Sequence, residues 1–331
     1  MDIKNRRAIQ NTAAEALACV SDSRTVALIY GGGTALLALL CTIVTYVVGI
    51  QIRGTGGLGN MGLRSVLSTV QFVLPLAQSL IVVFLGFGYQ SAALRMARRV
   101  NCRPDVLLDG FRRFGPLVRL SIAQSIIYMA IAFLALYVGA QVFVMTPLAK
   151  DFLEIMMPLI SSATVLTDEI VLDEATLLAA TEAMLPMIPI VLILFLIAAL
   201  PIAYQYRMST FALLDDPGRG AFAAMRESRS MMKGNRVDLF KIDVSFWWFY
   251  LTELVIGLIA YADVLLPRLG VSFPWSDTVS YFLFYVVSLA LQTGLYYLFL
   301  NRVHVTYAAA YETLRAKPEQ TRVPLGNIFN L

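Results

Sequence analysis

Glu227-Ser228-Arg229-Ser230-Met231-Met232-Lys233-Gly234-Asn235-Arg236 runs straight into Val237-Asp238-Leu239-Phe240-Lys241-Ile242 and a long apolar segment. The stretch reads as a basic helix that ends at a glycine, turns and enters a membrane. Asp216 followed by Pro217 marks its start, an N-cap acceptor with proline at the first helical position. At about 100° per residue Arg226, Arg229 and Lys233 share one face, with Met225 and Met232 beside it. Gly234, or Asn235 after it, suits a left-handed stop, and Lys233 sits where cations favour a helix C-terminus. Together with Arg236, these cations form either a docking surface for an anionic lipid or acidic partner, or a helix at the headgroups. In the second case the cations hold topology and the methionines sit in the acyl boundary.

Composition agrees with a membrane protein. The 331 residues are 58% hydrophobic and only 15% charged, against roughly 25% charged in an ordinary soluble domain. Mean hydropathy is +0.71. The first apolar run begins near Thr25, too deep and too long for a cleavable signal, so it is expected to stay as a membrane helix. Cys19, Cys41 and Cys102 form no CxxC and no disulfide framework. His304 is the single histidine, which argues against a histidine metal site. The net charge of +4 serves topology here and does not suggest nucleic acid.

Six membrane helices are expected at Thr25–Ile50, Ser65–Arg95, Pro116–Thr146, Pro186–Tyr206, Ile242–Val264 and Thr278–Leu300. Residues 1–24 read as an amphipathic interfacial helix with a loose stripe of Ile3, Ala13, Leu17 and Val20. Pro104 to Phe114 reads as a second one. Pro75 is expected to kink the second membrane helix, and Gly31-Gly32-Gly33, Gly86, Gly88 and Ser91 offer close packing. Residues 150–185 form the longest outer segment, acidic and expected as two short helices. Residues 304–331 are a tail, helical to about Arg315. This layout puts 22 of 26 lysines and arginines on one side, so both termini are expected in the cytoplasm. The fold class is therefore all-α: a polytopic bundle of six transmembrane helices in three hairpins (residues 25–303), plus cytoplasmic interfacial helices.

Motifs for chemistry are sparse. Gly54-Thr55-Gly56-Gly57-Leu58-Gly59 matches GxGxxG, but a membrane helix precedes it where a dinucleotide site needs a strand. There is no GxSxG elbow, Walker A loop or HExxH, and one histidine leaves little room for a Ser-His-Asp arrangement. No cofactor is expected, and the chain reads as non-enzymatic. Glu253 lies near the midplane of the fifth helix, where a carboxylate must be protonated, paired or wet. It is either a proton or cation site or a glutamic acid hydrogen-bonded to Gln124, Gln292 or Tyr296. Asp243 is expected to pair with Lys241 or a loop arginine.

Glu227-Ser228-Arg229 with Met232 to Arg236, Leu239-Phe240 and Phe246-Trp247 resembles the signature of the domain-of-unknown-function (DUF) 975 family. Tyr204, Asp216-Pro217 and Ala308-Ala309-Ala310-Tyr311-Glu312 add to the likeness, which is most specific from Pro201 to Leu314. The resemblance implies a bacterial integral membrane protein of the cell membrane, mostly of Gram-positive species, and brings no catalytic residues. The leading expectation is a protein that docks anionic phospholipids, or a membrane or cytoplasmic protein partner, through its basic cytoplasmic face at Arg226, Arg229, Lys233 and Arg236. The alternative is a transporter or channel subunit with its site at Glu253.

Overall fold

A computed structural model describes residues 5–54, 61–163, 174–271 and 273–316. Every regular element among them is helical. The first part of the chain gives α1 (Arg6–Ala18), α2 (Ser23–Gly54), α3 (Met61–Ala97), a 3₁₀ turn at Pro104–Leu108, α4 (Asp109–Arg112) and α5 (Phe114–Val144). Then come α6 (Lys150–Ala163), α7 (Glu174–Met184), α8 (Met187–Tyr206), α9 (Ser209–Asp215) and α10 (Ala221–Met232). The rest is α11 (Arg236–Ser245), α12 (Trp247–Ala260), α13 (Ala262–Arg268), α14 (Asp277–Leu295), a π-helical turn at Tyr296–Leu300 and α15 (Asn301–Arg315). The GxGxxG loop, the Ser/Thr turn of the acidic segment and the end of the tail fall wholly or largely outside the described residues.

Five of these helices are long and apolar enough to cross a membrane, or six if the bent pair α11 and α12 makes one span. Their outward faces carry rows of bare aliphatic side chains such as Leu36, Leu40, Leu80 and Phe133. Such rows are stable against acyl chains and a liability in water.

The expected fifth helix is not continuous. α11 and α12 meet at 60°, with Phe246 buried in the elbow, and a further turn at Tyr261 separates α13. Neither proline nor glycine marks the elbow. Instead the Ser245 hydroxyl donates to the Ile242 carbonyl (2.6 Å) and accepts from Gln10 Nε2 of α1 (2.6 Å). A side chain competing for the backbone ladder bends a helix in this way. α3, by contrast, runs unbroken through Pro75.

The chain forms two compact units, residues 1–118 with 208–331, and residues 119–207. In the first, α3 is the hub, packed against α1, α2, α9, α15 and the 104–112 segment. α1 buries Ile9, Ala13 and Ala16 on this unit, so its apolar stripe meets protein and not headgroups. The 104–112 segment is a 3₁₀ turn and a single α-turn, not one helix. Val106 and Leu107 insert under α3, while Leu108 and Phe111 stay exposed. The insertion depends on two glycines. A Cβ on Gly88 would lie 1.9 Å from the Leu107 carbonyl oxygen, and one on Gly110 would lie 1.9 Å from that of Phe84. In the second unit α5 and α8 meet where Gly139 faces Val191, and Phe143 is buried beside Phe152.

Candidate functional site

The basic stretch forms two helices with different faces. Pro217 opens a 3₁₀ turn, not the helix itself, and Asp216 caps that turn by accepting from the Gly218 amide (3.2 Å). Gly220, at φ +75°, then re-aims the chain into α10. Met225 and Met232 are buried in the protein together with Met231, so they do not take the place in the acyl boundary that the second alternative gave them. Ser228, fully buried, accepts from the Met208 amide (3.2 Å) and ties α10 to α9.

The outer face of α10 is left with Phe222, Arg226, Arg229, Ser230 and Lys233, all exposed. Gly234, at φ +81°, ends the helix where the sequence placed the stop. α11 exposes Val237, Phe240 and Val244, and its Lys241 is held by Asp238 (2.9 Å). Exposed cations are thus followed along the chain by exposed apolar residues. Arg226, Arg229 and Lys233 make no ion pair among the described residues. Arg236 is half-buried and stands apart from this exposed row.

Several other arginines, by contrast, are held by carboxylates or carbonyls. Arg95 and Arg112 lie 2.7 and 3.3 Å from Asp109, which also accepts from the Ser91 hydroxyl (3.1 Å). Arg98 bridges Asp215 and Glu312, each at 2.6 Å, and Arg315 reaches Asp215 at 2.6 Å. The Tyr311 hydroxyl donates to the same Asp215 carboxylate (3.2 Å). Burial works against charge on Arg98, but its hydrogen bonds to Asp215 and Glu312 outweigh this and raise its pKa. Arg113 donates to the Leu214 carbonyl, and Arg219 pairs with Glu227 and Asp216. The arginine-rich loop after α3 therefore knits α3, α4, α9 and α15 together. The carboxylates at its nodes, Asp109 and Asp215, were not legible as hubs, although each is an acid set among arginines.

Glu253 finds one of its three expected partners. The Tyr296 hydroxyl donates to its Oε1 (2.8 Å) and accepts from Gln292 Nε2 (3.0 Å). Tyr296 opens the π-helical turn, a form that recurs at functional sites. Gly31 makes room for it, since a Cβ there would lie 3.2 Å from Tyr296 Cβ. Tyr30 stacks on Tyr296 and on Tyr89. The Tyr89 hydroxyl donates to Asn301 Oδ1 (2.5 Å), and Asn301 Nδ2 donates to the Ser23 carbonyl (2.7 Å). A polar and aromatic seam therefore runs from Glu253 to the start of α2. Asp243 accepts from the Tyr307 hydroxyl, while Lys241 goes to Asp238. His304 packs edge-on against Tyr89 and Tyr307, and Trp248 against Phe299, whereas Trp247 is exposed. Removing one hydroxyl tests the seam: Tyr296→Phe is expected to lower stability by about 1–3 kcal/mol in detergent thermal unfolding, because it strips Glu253 of this donor. An unchanged transition would contradict that role.

Among the described residues no cluster of histidine, cysteine and carboxylate groups suits a metal ion. No characterised protein matches the chain, and no solved structure does. The family model described as "Protein of unknown function (DUF975)" matches residues 30–315, which takes in α3, the basic stretch and the Glu253 seam. The chain belongs to the DUF975 family.

Proposed function

We propose that this is a non-enzymatic, multi-pass protein of a bacterial cell membrane, both termini cytoplasmic, that binds anionic phospholipid through the outer face of α10 and α11. One observation carries the reading. Arg226, Arg229 and Lys233 are exposed on one short helix, make no ion pair among the described residues, and lead directly into exposed Val237 and Phe240. Cations beside apolar side chains suit a leaflet surface, where each base near anionic lipid contributes about 1 kcal/mol. The purely polar rim that a soluble acidic partner would meet fits less well.

Replacing Arg226, Arg229 and Lys233 together by glutamine is expected to strip anionic phospholipid from the purified protein, measured by mass spectrometry of co-purifying lipids. Thermal unfolding should stay within about 0.5 kcal/mol of the parent, since all three side chains are exposed. Unchanged lipid content would overturn the reading; loss of a co-purifying protein in its place would favour a protein partner.

A second reading, a transporter or channel subunit, is favoured by the Tyr296–Glu253 bond next to the π-helical turn. It requires Glu253→Gln to change flux in proteoliposomes while the protein stays folded.

A further inference from the structure

A second polar feature lies at the other end of the first unit, far along α2 from the paired base. Three helices that read as apolar each place polar side chains on the same spot, with Tyr281 lying one turn before Tyr285 on α14. α2 presents Thr42, Thr45 and Arg53, α3 presents Gln71 and Gln78, and α14 presents Tyr285. These side chains converge on one cavity of about 410 Å³, with Pro75 of α3 in its wall. Its size falls in the range of small-ligand sites.

Chance placement is a poor account of it. In a span, polar side chains turn to a neighbouring helix or to water, because lipid offers no partner. Part of this set is satisfied internally. The Thr42 hydroxyl donates to the Tyr285 hydroxyl at 3.0 Å, which leaves the tyrosine's own proton for an acceptor in the cavity. Gln71 and Gln78 have no hydrogen-bond partner among the described residues, and Arg53 makes no ion pair there; its Nε only reaches the Gly49 carbonyl at 3.4 Å. The absent side chain of Gly49 keeps space beside the Gln71 amide. Gln71 is exposed and Gln78 half-buried on the apolar span of α3, where lipid offers an amide no partner and water or a ligand does.

The lining also has a sign. It includes one guanidinium and no carboxylate, and its amides and hydroxyls can all donate. We propose that the cavity between α2, α3 and α14 is a water-accessible vestibule that binds a small anion, with Arg53 as its charge and the glutamine and tyrosine side chains as donors. This site is separate from the lipid-binding face of α10 and shares no residue with it.

Cys41 lines the same cavity and provides the reporter. Cys102 is chemically quiet, since burial pushes its thiol up to about 11 despite the opposing pull of Arg95. With Cys19 and Cys102 replaced by serine, Cys41 is the single thiol left. The full chain in proteoliposomes is treated with two membrane-impermeant methanethiosulfonates, the anionic sulfonatoethyl and the cationic trimethylammonium-ethyl reagent. Each rate is normalised to that of a free thiol. The sulfonate is expected to modify Cys41 roughly fivefold faster than the cation. Arg53→Gln should bring the ratio close to one, and Thr45→Trp should slow both reagents. Unfolding temperatures report that each variant is folded, and if Thr45→Trp is not, the Arg53→Gln ratio decides alone. Cys41 that reacts only after denaturation in dodecyl sulfate would show a dry cavity and overturn the proposal. Equal rates, or a faster cation, would overturn its anion selectivity.

Discussion

Gly88→Ala is expected to cost the protein its fold. A Cβ at that position would lie 1.9 Å from the Leu107 carbonyl oxygen and 2.8 Å from Leu107 Cα. These are backbone atoms, so no rotamer change relieves the clash. The 104–112 segment would have to leave α3, exposing Val106 and Leu107 and pulling Asp109 from Arg95 and Ser91. Overpacking usually costs up to about 3 kcal/mol, and a clash with backbone belongs at or above that limit. Gly110→Ala should behave alike, since its Cβ would meet the Phe84 carbonyl oxygen. Gly32→Ala is the control. Nothing lies within 4 Å of its new methyl group, and alanine in an open helical position stabilises by roughly 0.5–1 kcal/mol. Fluorescence-detected size exclusion with a thermal ramp reads all three. Gly88→Ala at parental stability would mean that the 104–112 segment does not sit under α3.

Asp215→Ala should be the next most damaging change. Its carboxylate is nearly buried and takes Arg98, Arg315 and the Tyr311 hydroxyl. Breaking a buried ion pair from one side costs about 3–5 kcal/mol. Arg98 and Arg315 keep 37% and 46% of their side chains exposed, so solvent screens the orphaned charges and about 2 kcal/mol is the better expectation. The loss should be coupled. In a double-mutant cycle Arg98→Ala should add little once Asp215 is gone. Additive effects would show that Arg98 and Asp215 act independently.

Much of this architecture was written in hydropathy and punctuation. Long apolar runs located the membrane helices to within a few residues, except the fifth, and Gly234 marked the end of α10. Gly88 was recognised as a close-packing position, although its partner is the 104–112 backbone and not another membrane helix. The elbow at Phe246 was hidden because it depends on Gln10 reaching Ser245 from 235 residues away. The fate of the arginines was hidden for a related reason. Composition gives the sign of a loop, while only the fold brings Asp215 and Glu312 to Arg98. The Glu253–Tyr296 bond was one of three named options, and choosing among them needed the π-helical turn. The polar side chains of α2, α3 and α14 were passed over in the sequence, because nothing in a single helix reveals that three of them face one another.

The proposal that α10 binds lipid is tested most directly by a photoreactive amino acid at Ser230, which is exposed on α10 between Arg226 and Lys233. After irradiation in native membranes, adducts are identified by mass spectrometry. The account predicts phospholipid adducts in which anionic headgroups exceed their share of the membrane, with the excess lost when Arg226, Arg229 and Lys233 are neutralised. A discrete protein adduct, or lipid adducts in simple proportion to membrane composition, would contradict it.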